Sequence, residues 1–383
     1  MRVLLSSLPA AGHLYPLVPF AWALRCAGHD VLVAAPSDLV PEATATGLPV
    51  AAVSDGPIGL ADLLERMKRV PWFGGDHAIL GSLHDFATGA DERSPLTDLV
   101  ERTLPGTEAL VRDWRPDVVL RDMADLTGVL ACARTGVPFA EHWWGLAAPA
   151  SARHELRRIF GDLFARFEAR ARPSRVLTID PVPPSFQNAD APPVHRSRYV
   201  PYNGRAERPA LPPRSGVPRL CITFGTLLAG EGVSGLAERV LDAAHRLGAE
   251  VVLAANEPPV DAHPALLAAG RLPLDQVLAS CDALVHHGGS GTMLTALCHG
   301  LPQLVFPHQS DHFVNADRLR SLHLAAVLNA RDDATRIERT LHAVLTDDGM
   351  RAGTCKIADE IAAQPAPADL VPLFEATVED AAA

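Results

Sequence analysis

Residues Asp282–Leu301 read DALVHHGGSGTMLTALCHGL. The stretch opens as an apolar strand, Ala283–His286, turns through Gly288, Gly289 and Gly291, and continues as a helix over Met293–Cys298. A helix start leaves backbone N–H groups unpaired, and its dipole favours negative charge. Glycines let a phosphate come close to that backbone. Ser290 and Thr292 add hydroxyl donors and His287 adds a ring N–H. No lysine follows the glycines, so the turn is not a Walker A loop. The same residues also suit a tight strand-to-helix turn whose glycines serve packing alone.

The strand-then-helix alternation continues on both sides of this stretch. Before it, strands are expected at Arg219–Thr223 and Glu250–Ala254, with a helix at Leu236–Leu247; after it comes a strand at Gln303–Phe306. The first half shows the same rhythm. Strands are expected at Arg2–Ser6, Asp30–Ala35, Pro49–Val53, Asp117–Leu120 and Val137–Ala140. Helices are expected at Leu96–Trp114 and Leu126–Thr135, with helical spacing also at Leu17, Phe20, Ala21 and Leu24. Such spacing implies βαβ units and parallel sheets. Residues 56–95 lose the pattern, as functional loops or disordered segments do. A proline-rich run between Pro181 and Pro218 suits a semi-rigid connector. The expected organisation is two α/β domains, 1–200 and 219–365, joined by a linker at 201–218. A tail helix at 366–383 packs back on the first domain. Two such sheets facing each other leave a cleft, and open α/β sheets bind ligands at the carboxyl ends of their strands.

Composition sets the outer limits. The chain has 383 residues, 48% hydrophobic and 21% charged, enough for sizeable cores. Lys and Arg number 34 against 45 Asp and Glu, a net charge of −11, so a general basic footprint for nucleic acid is absent. No run reaches the roughly 18–20 apolar residues that cross a bilayer. The apolar start Met1–Leu5 is cut by Ser6, Ser7 and Pro9, too short for a signal peptide. It reads as a buried strand of a cytoplasmic protein. The six cysteines, 26, 132, 221, 281, 298 and 355, form no C-x-x-C pair, which argues against a metal cluster or a disulfide framework.

Other constellations gather at strand ends. His13, in Leu8–Pro16 (LPAAGHLYP), follows the first strand, where an imidazole suits general-base work. Such a base needs an orienting carboxylate, and Asp122 follows a strand of the same sheet. Each also has an ordinary reading, a helix-start histidine and a helix N-cap. Asp311, after the strand ending at Phe306, can accept hydrogen bonds from hydroxyls or cap the helix expected near Phe313. Gly225 and Thr226 end the first strand of the second domain, placed to touch phosphate or to make a plain turn. Gly289–Leu294 also reads as G-x-G-x-x-L, a defective NAD fingerprint, with Asp311 22 residues on. That acid should end the next strand, and Pro307–Ser310 separate it from Phe306.

Together these residues resemble the inverting, nucleotide-sugar-dependent glycosyltransferases of bacterial natural products, the calicheamicin-type and related polyketide enzymes. The resemblance rests on six motifs. Three lie in the first half: Gly12, His13 and Pro16; Ala23–Val31; and Arg115–Asp122. Thr223–Thr226, Leu272–Asp275 and His286–Thr292 lie in the second, the last followed by Pro307–Asp311. It implies a GT-B architecture of two facing Rossmann-like domains, the first binding the acceptor and the second the nucleotide sugar. It places His13 as catalytic base and Asp122 as its partner acid. His287, Gly288, Gly289, Ser290, Gly291 and Thr292 then bind the diphosphate, with Thr226 as a second phosphate contact. Asp311 binds sugar hydroxyls. His312 stands where the family often has Gln, and Arg271 where an aromatic residue is common, so that backbone contacts from Leu272 replace base stacking.

The function expected is inverting transfer of a deoxysugar from a TDP-sugar to a hydroxyl or carbon of an apolar, polyketide-like acceptor. Thymidine diphosphate as carrier comes from the resemblance alone. No cofactor or metal is expected, the nucleotide sugar being a co-substrate. The partners expected are small molecules, with a homodimer left open. Trp72, Phe73, Trp143 and Trp144 are candidate acceptor contacts, with core packing as their ordinary reading. Alternatives are a nucleotide-sugar hydrolase or epimerase of the same fold, a non-catalytic nucleotide-sugar-binding auxiliary, or an NAD oxidoreductase.

Overall fold

The β-rich runs form two separate parallel sheets, described from a computed structural model. The structure describes residues 1–59, 62, 95–148, 153, 161–169, 173–207, 209–224, 231–255, 262–308 and 311–382. The first sheet holds β1 (Arg2–Ser6), β2 (Asp30–Ala35), β3 (Val50–Ala52), β4 (Val118–Asp122), β5 (Phe139–His142), β6 (Arg175–Asp180) and β7 (His195–Arg196). Their order is β3-β2-β1-β4-β5-β6-β7. The second holds β8 (Arg219–Thr223), β9 (Glu250–Ala254), β10 (Leu266–Gly270), β11 (Ala283–His286), β12 (Gln303–Val305) and β13 (Ala325–Val327), in the order β10-β9-β8-β11-β12-β13. Each sheet winds outward in both directions from its first strand. The order reverses between β1 and β4 in one and between β8 and β11 in the other. Beyond the strand ends at such reversals lies the crevice where open α/β sheets hold ligands.

Helices cover both faces of the first sheet. After the single turn α1 (Ala11–Leu14), α2 (Val18–Cys26) buries Val18, Phe20, Ala21 and Leu24 against one face. The short α3 (Val40–Thr44) follows β2. α4 (Pro95–Trp114) and α5 (Leu126–Thr135) supply Val100, Leu104, Val111, Val129 and Leu130 to the other face. In the second sheet the helices are α6 (Glu231–Arg246), α7 (Leu274–Leu278), α8 (Ser290–Cys298), α9 (Asp311–Ser321), α10 (Ala334–Thr346) and α11 (Asp348–Ala363). The last helix, α12 (Val371–Ala382), returns to the first sheet, where Phe374 meets the Phe20 ring edge-on at 5.5 Å.

The chain divides into two compact units that are not two simple halves. Met1–Val182, Gln187–Tyr202 and Gln364–Ala383 make one; Pro183–Phe186 and Asn203–Ala363 make the other. Within the second unit, Arg318 of α9 donates to the carbonyls of Phe186 (2.8 Å) and Ser185 (2.9 Å). Glu360 of α11 accepts from the Ser185 amide.

α4 carries Pro105 and Gly106 in its interior, which helix propensity alone disfavours. Packing overrides it, since a Cβ at Gly106 would stand 2.1 Å from the backbone oxygen of Val53. A backbone neighbour cannot swing aside, so Gly106→Ala is expected to cost about 1–3 kcal/mol. Thermal melts check this, and an unchanged Tm would show that the helix can shift.

Candidate active site

His13 and Asp122 come together at the reversal of the first sheet. Asp122 is the last residue of β4, and the N-cap of α5 is Asp125, which accepts from the Gly128 amide at 3.0 Å. The N-cap alternative for Asp122 therefore falls away. Asp122 is fully buried. One of its oxygens accepts from the Leu8 amide (2.6 Å). The other accepts from the Ala124 amide (2.6 Å) and the Trp144 indole (3.3 Å), and lies 3.3 Å from His13 Nδ1. A carboxylate at Nδ1 draws the imidazole proton to that side and leaves Nε2 with its lone pair, the form a general base needs. The His13 side chain is 21% exposed, so the ring joins the buried acid to solvent.

The two tryptophans after β5 part company. Trp144 is half-buried and meets the His13 ring edge-on at 4.9 Å. Trp143 is 5% exposed and donates its indole N–H to Glu141 at 2.8 Å, which makes it a core residue. Trp72 and Phe73 lie outside the described residues.

At the reversal of the second sheet, His286 ends β11 and the glycine turn leads into α8. Gly288 has φ of 99°, a left-handed conformation, and its Cα faces the His312 backbone, where a Cβ would meet the oxygen at 3.0 Å. Gly289 is the N-cap of α8 and brings no side chain to its first turn. A Cβ there would lie 2.4 Å from His287 Nε2, so the imidazole reaches over this glycine. Asn315 of α9 ties the turn together, donating to the Gly288 carbonyl (2.8 Å) and to Ser290 Oγ (2.9 Å). Ser290 in turn donates to Asp311 at 3.0 Å. The Ser290 hydroxyl is therefore committed within the protein, whereas Gly291 and Thr292 are half-buried in the first turn. Asp311 opens α9 two residues before the expected start. Its bond to Ser290, rather than a place at a strand end, sets it apart from the ribose acid of an NAD site.

Four histidines crowd this turn. His287 and His312 meet edge-on at 4.7 Å, and His286 lies 6.2 Å from His287. Burial pushes His286 and His312 down to about 3 and His287 well below its usual value, with neighbouring imidazoles adding to each effect. Burial also lowers His308. At neutral pH the rings are uncharged, so His287 offers a hydrogen bond rather than a cation. His312 is 5% exposed and packs behind His287. Leu272 follows β10, half-buried against the core under α7, with Arg271 exposed beside it. Thr226 lies outside the described residues. The sequence assigned no role to His286, His308, Asn315 or Arg121; the available signal for Asn315 was its place one helical turn from Asp311. Among the described residues no three His, Cys, Asp or Glu side chains are grouped to hold a metal ion. None of their helices is long and apolar enough to cross a membrane.

Comparison with known proteins bears on this geometry. The sequence model described as erythromycin biosynthesis protein CIII-like, N-terminal domain, matches residues 22–225; its C-terminal counterpart matches 238–377. The L-demethylnoviosyl transferase of Streptomyces niveus is 39% identical over 381 residues, spanning 96% of each chain. The spinosyn rhamnosyltransferase SpnG is 31% identical in sequence. Its complex with thymidine diphosphate superposes with a TM-score of 0.81, covering 98% of this chain and 100% of that one. Its complex with spinosyn aglycone gives 0.82 over the same shares. With both domain models matched and relatives alike over nearly the full length, the chain belongs to the erythromycin biosynthesis protein CIII-like family and is a glycosyltransferase of the GT-B fold.

Proposed function

We propose that the protein transfers a deoxysugar from a TDP-sugar to a hydroxyl of an apolar natural-product acceptor, with inversion at the anomeric carbon. The first unit is assigned the acceptor and the second the nucleotide sugar. One observation carries the reading: a His–Asp pair occupies the strand reversal of one sheet, and a glycine turn opening a helix occupies that of the other. SpnG in complex with thymidine diphosphate and with its aglycone supports both substrate classes.

In this mechanism His13 Nε2 takes the acceptor proton as the acceptor oxygen bonds to the anomeric carbon. The bond from that carbon to the phosphate oxygen breaks, and its electron pair leaves with the nucleoside diphosphate. Asp122 holds the imidazole during attack and stabilises the imidazolium that forms. The leaving diphosphate meets His287, Thr292 and the first turn of α8, with Thr226 as a further contact. Donors fixed in advance act where charge grows, without reorganising. Asp311 is assigned to sugar hydroxyls, Leu272 to the base, and Trp144 to the acceptor beside His13.

Thermal-shift titration with TDP, UDP, GDP and NAD tests the donor class. TDP at about 100 times its Kd is expected to stabilise the protein by about 2.7 kcal/mol. A response to UDP alone would move the donor, and stabilisation by NAD alone would overturn the reading of the glycine turn.

A further inference from the structure

Arg121 precedes Asp122 on β4, so its side chain leaves the opposite face of the sheet. It is 4% exposed, a costly place for a guanidinium, whose contacts run through the two Nη groups while the buried Nε has no hydrogen-bond partner. Nη1 donates to the carbonyls of Asp122 (3.0 Å) and Asp125 (2.6 Å), the two ends of the turn between β4 and α5. Nη2 donates to Glu141 of β5, and the group lies 5.1 Å from the centre of the Phe139 ring. The turn it clamps contains Ala124, whose amide holds Asp122 Oδ1. Any rotation of the turn therefore moves the oxygen that faces His13. A lysine can supply the charge but not a planar fork reaching two carbonyls and a carboxylate together.

Charges around the turn show what Arg121 counterbalances. Among the described residues, the titratable groups around it are Asp122 and Asp125, Cys132 on α5, Glu141 and His142 on β5, Arg175 on β6 and His13 on α1. Burial first and the charge of Asp122 second raise the Asp125 carboxyl, to about 6 once the opposing charge of Arg121 is counted. Burial lowers His142 to about 4, so it stays neutral.

We propose that Arg121 is a positioning residue for the His13–Asp122 pair: by clamping both ends of the turn after β4, it fixes the orientation of the Asp122 carboxylate. The inference rests on the assignment of His13 as base.

The test is steady-state kinetics on Arg121→Lys, with Asp122→Asn and TDP binding measured alongside. Arg121→Lys is expected to lower kcat about tenfold, with TDP affinity unchanged. The acid limb of the pH–rate profile should also move to lower pH, because an imidazole held less firmly against its carboxylate is a weaker base. A purely structural role would reduce the folded fraction and leave that limb in place. If Arg121→Lys does not fold, the double variant Arg121→Gln/Glu141→Gln is judged by the same readouts, since it removes the charge and its partner together. Wild-type kcat and acid limb in the folded variant, with Asp122→Asn impaired, would overturn the proposal. An unimpaired Asp122→Asn would overturn it too, since Asp122 would then not orient His13, while His13→Ala decides separately whether the base assignment stands.

Discussion

His13→Ala is expected to lower kcat by about 10²–10⁴-fold, the range for loss of a positioned general base, while TDP still binds. The residue lies in the first unit and the glycine turn in the second, so the two readouts separate. Asp122→Asn should fall by up to about 10⁴-fold, the loss where a histidine loses its orienting carboxylate. The geometry explains why an isosteric amide fails here. Both Asp122 oxygens face backbone N–H groups, from Leu8 on one side and Ala124 on the other. Whichever way an asparagine turned, its NH₂ would confront a donor, and His13 Nδ1 would lose a firm acceptor. Single-turnover kinetics with a hydroxyl acceptor check both variants. A near wild-type kcat for His13→Ala would remove His13 from the chemistry.

The second large effect is expected at Gly289. Ala there places a Cβ 2.4 Å from His287 Nε2 and forces the imidazole aside, with the His312 ring already 4.7 Å from it. A hydrogen bond to a charged group is worth about 1.5–3 kcal/mol, so TDP affinity should drop about 10–150-fold. A ring can rotate where a backbone cannot, so the loss of stability should stay smaller than for Gly106→Ala. Calorimetric titration with TDP measures the first quantity and thermal melts the second. Unchanged affinity would mean that His287 does not touch the diphosphate.

Much of the fold could be read from the chain because buried parallel strands are short apolar runs between glycines and prolines. Asp30–Ala35, Arg219–Thr223, Glu250–Ala254 and Leu126–Thr135 have the bounds that patterning predicts. The strands that escaped detection lie at or next to sheet edges. β6, RVLTID, is a β-rich run left out of the expected strands; of the others, β13 is three residues of ordinary composition, β7 is two, and β10 is rich in alanine. Partners in register define such strands more than their own residues do. β5 begins two residues later than expected and ends in Glu141-His142, polar residues that a buried network needs. Most of the candidate site residues stand in motifs, although Asn315 does not. What pattern could not convey was which of them are buried. Trp143 and His312 look like ligand contacts on a line of text and are packed inside, and Arg121 looks like a surface charge.

The division of the chain into units has a consequence for recombination between relatives. The polypeptide passes from one unit to the other four times, after Val182, Phe186, Tyr202 and Ala363. A chimaera made by a single crossover near 202 inherits its final helix from the other parent. Leu370, Val371, Phe374 and Val378 would then fill a core whose remaining residues, Phe20 and Leu24 among them, belong to a different lineage. The graft would also separate Arg318 and Glu360 from the Pro183–Phe186 segment that they hold. Exchange of the second unit between relatives therefore calls for four junctions, with the terminal helix travelling with the first sheet and the short proline segment with the second.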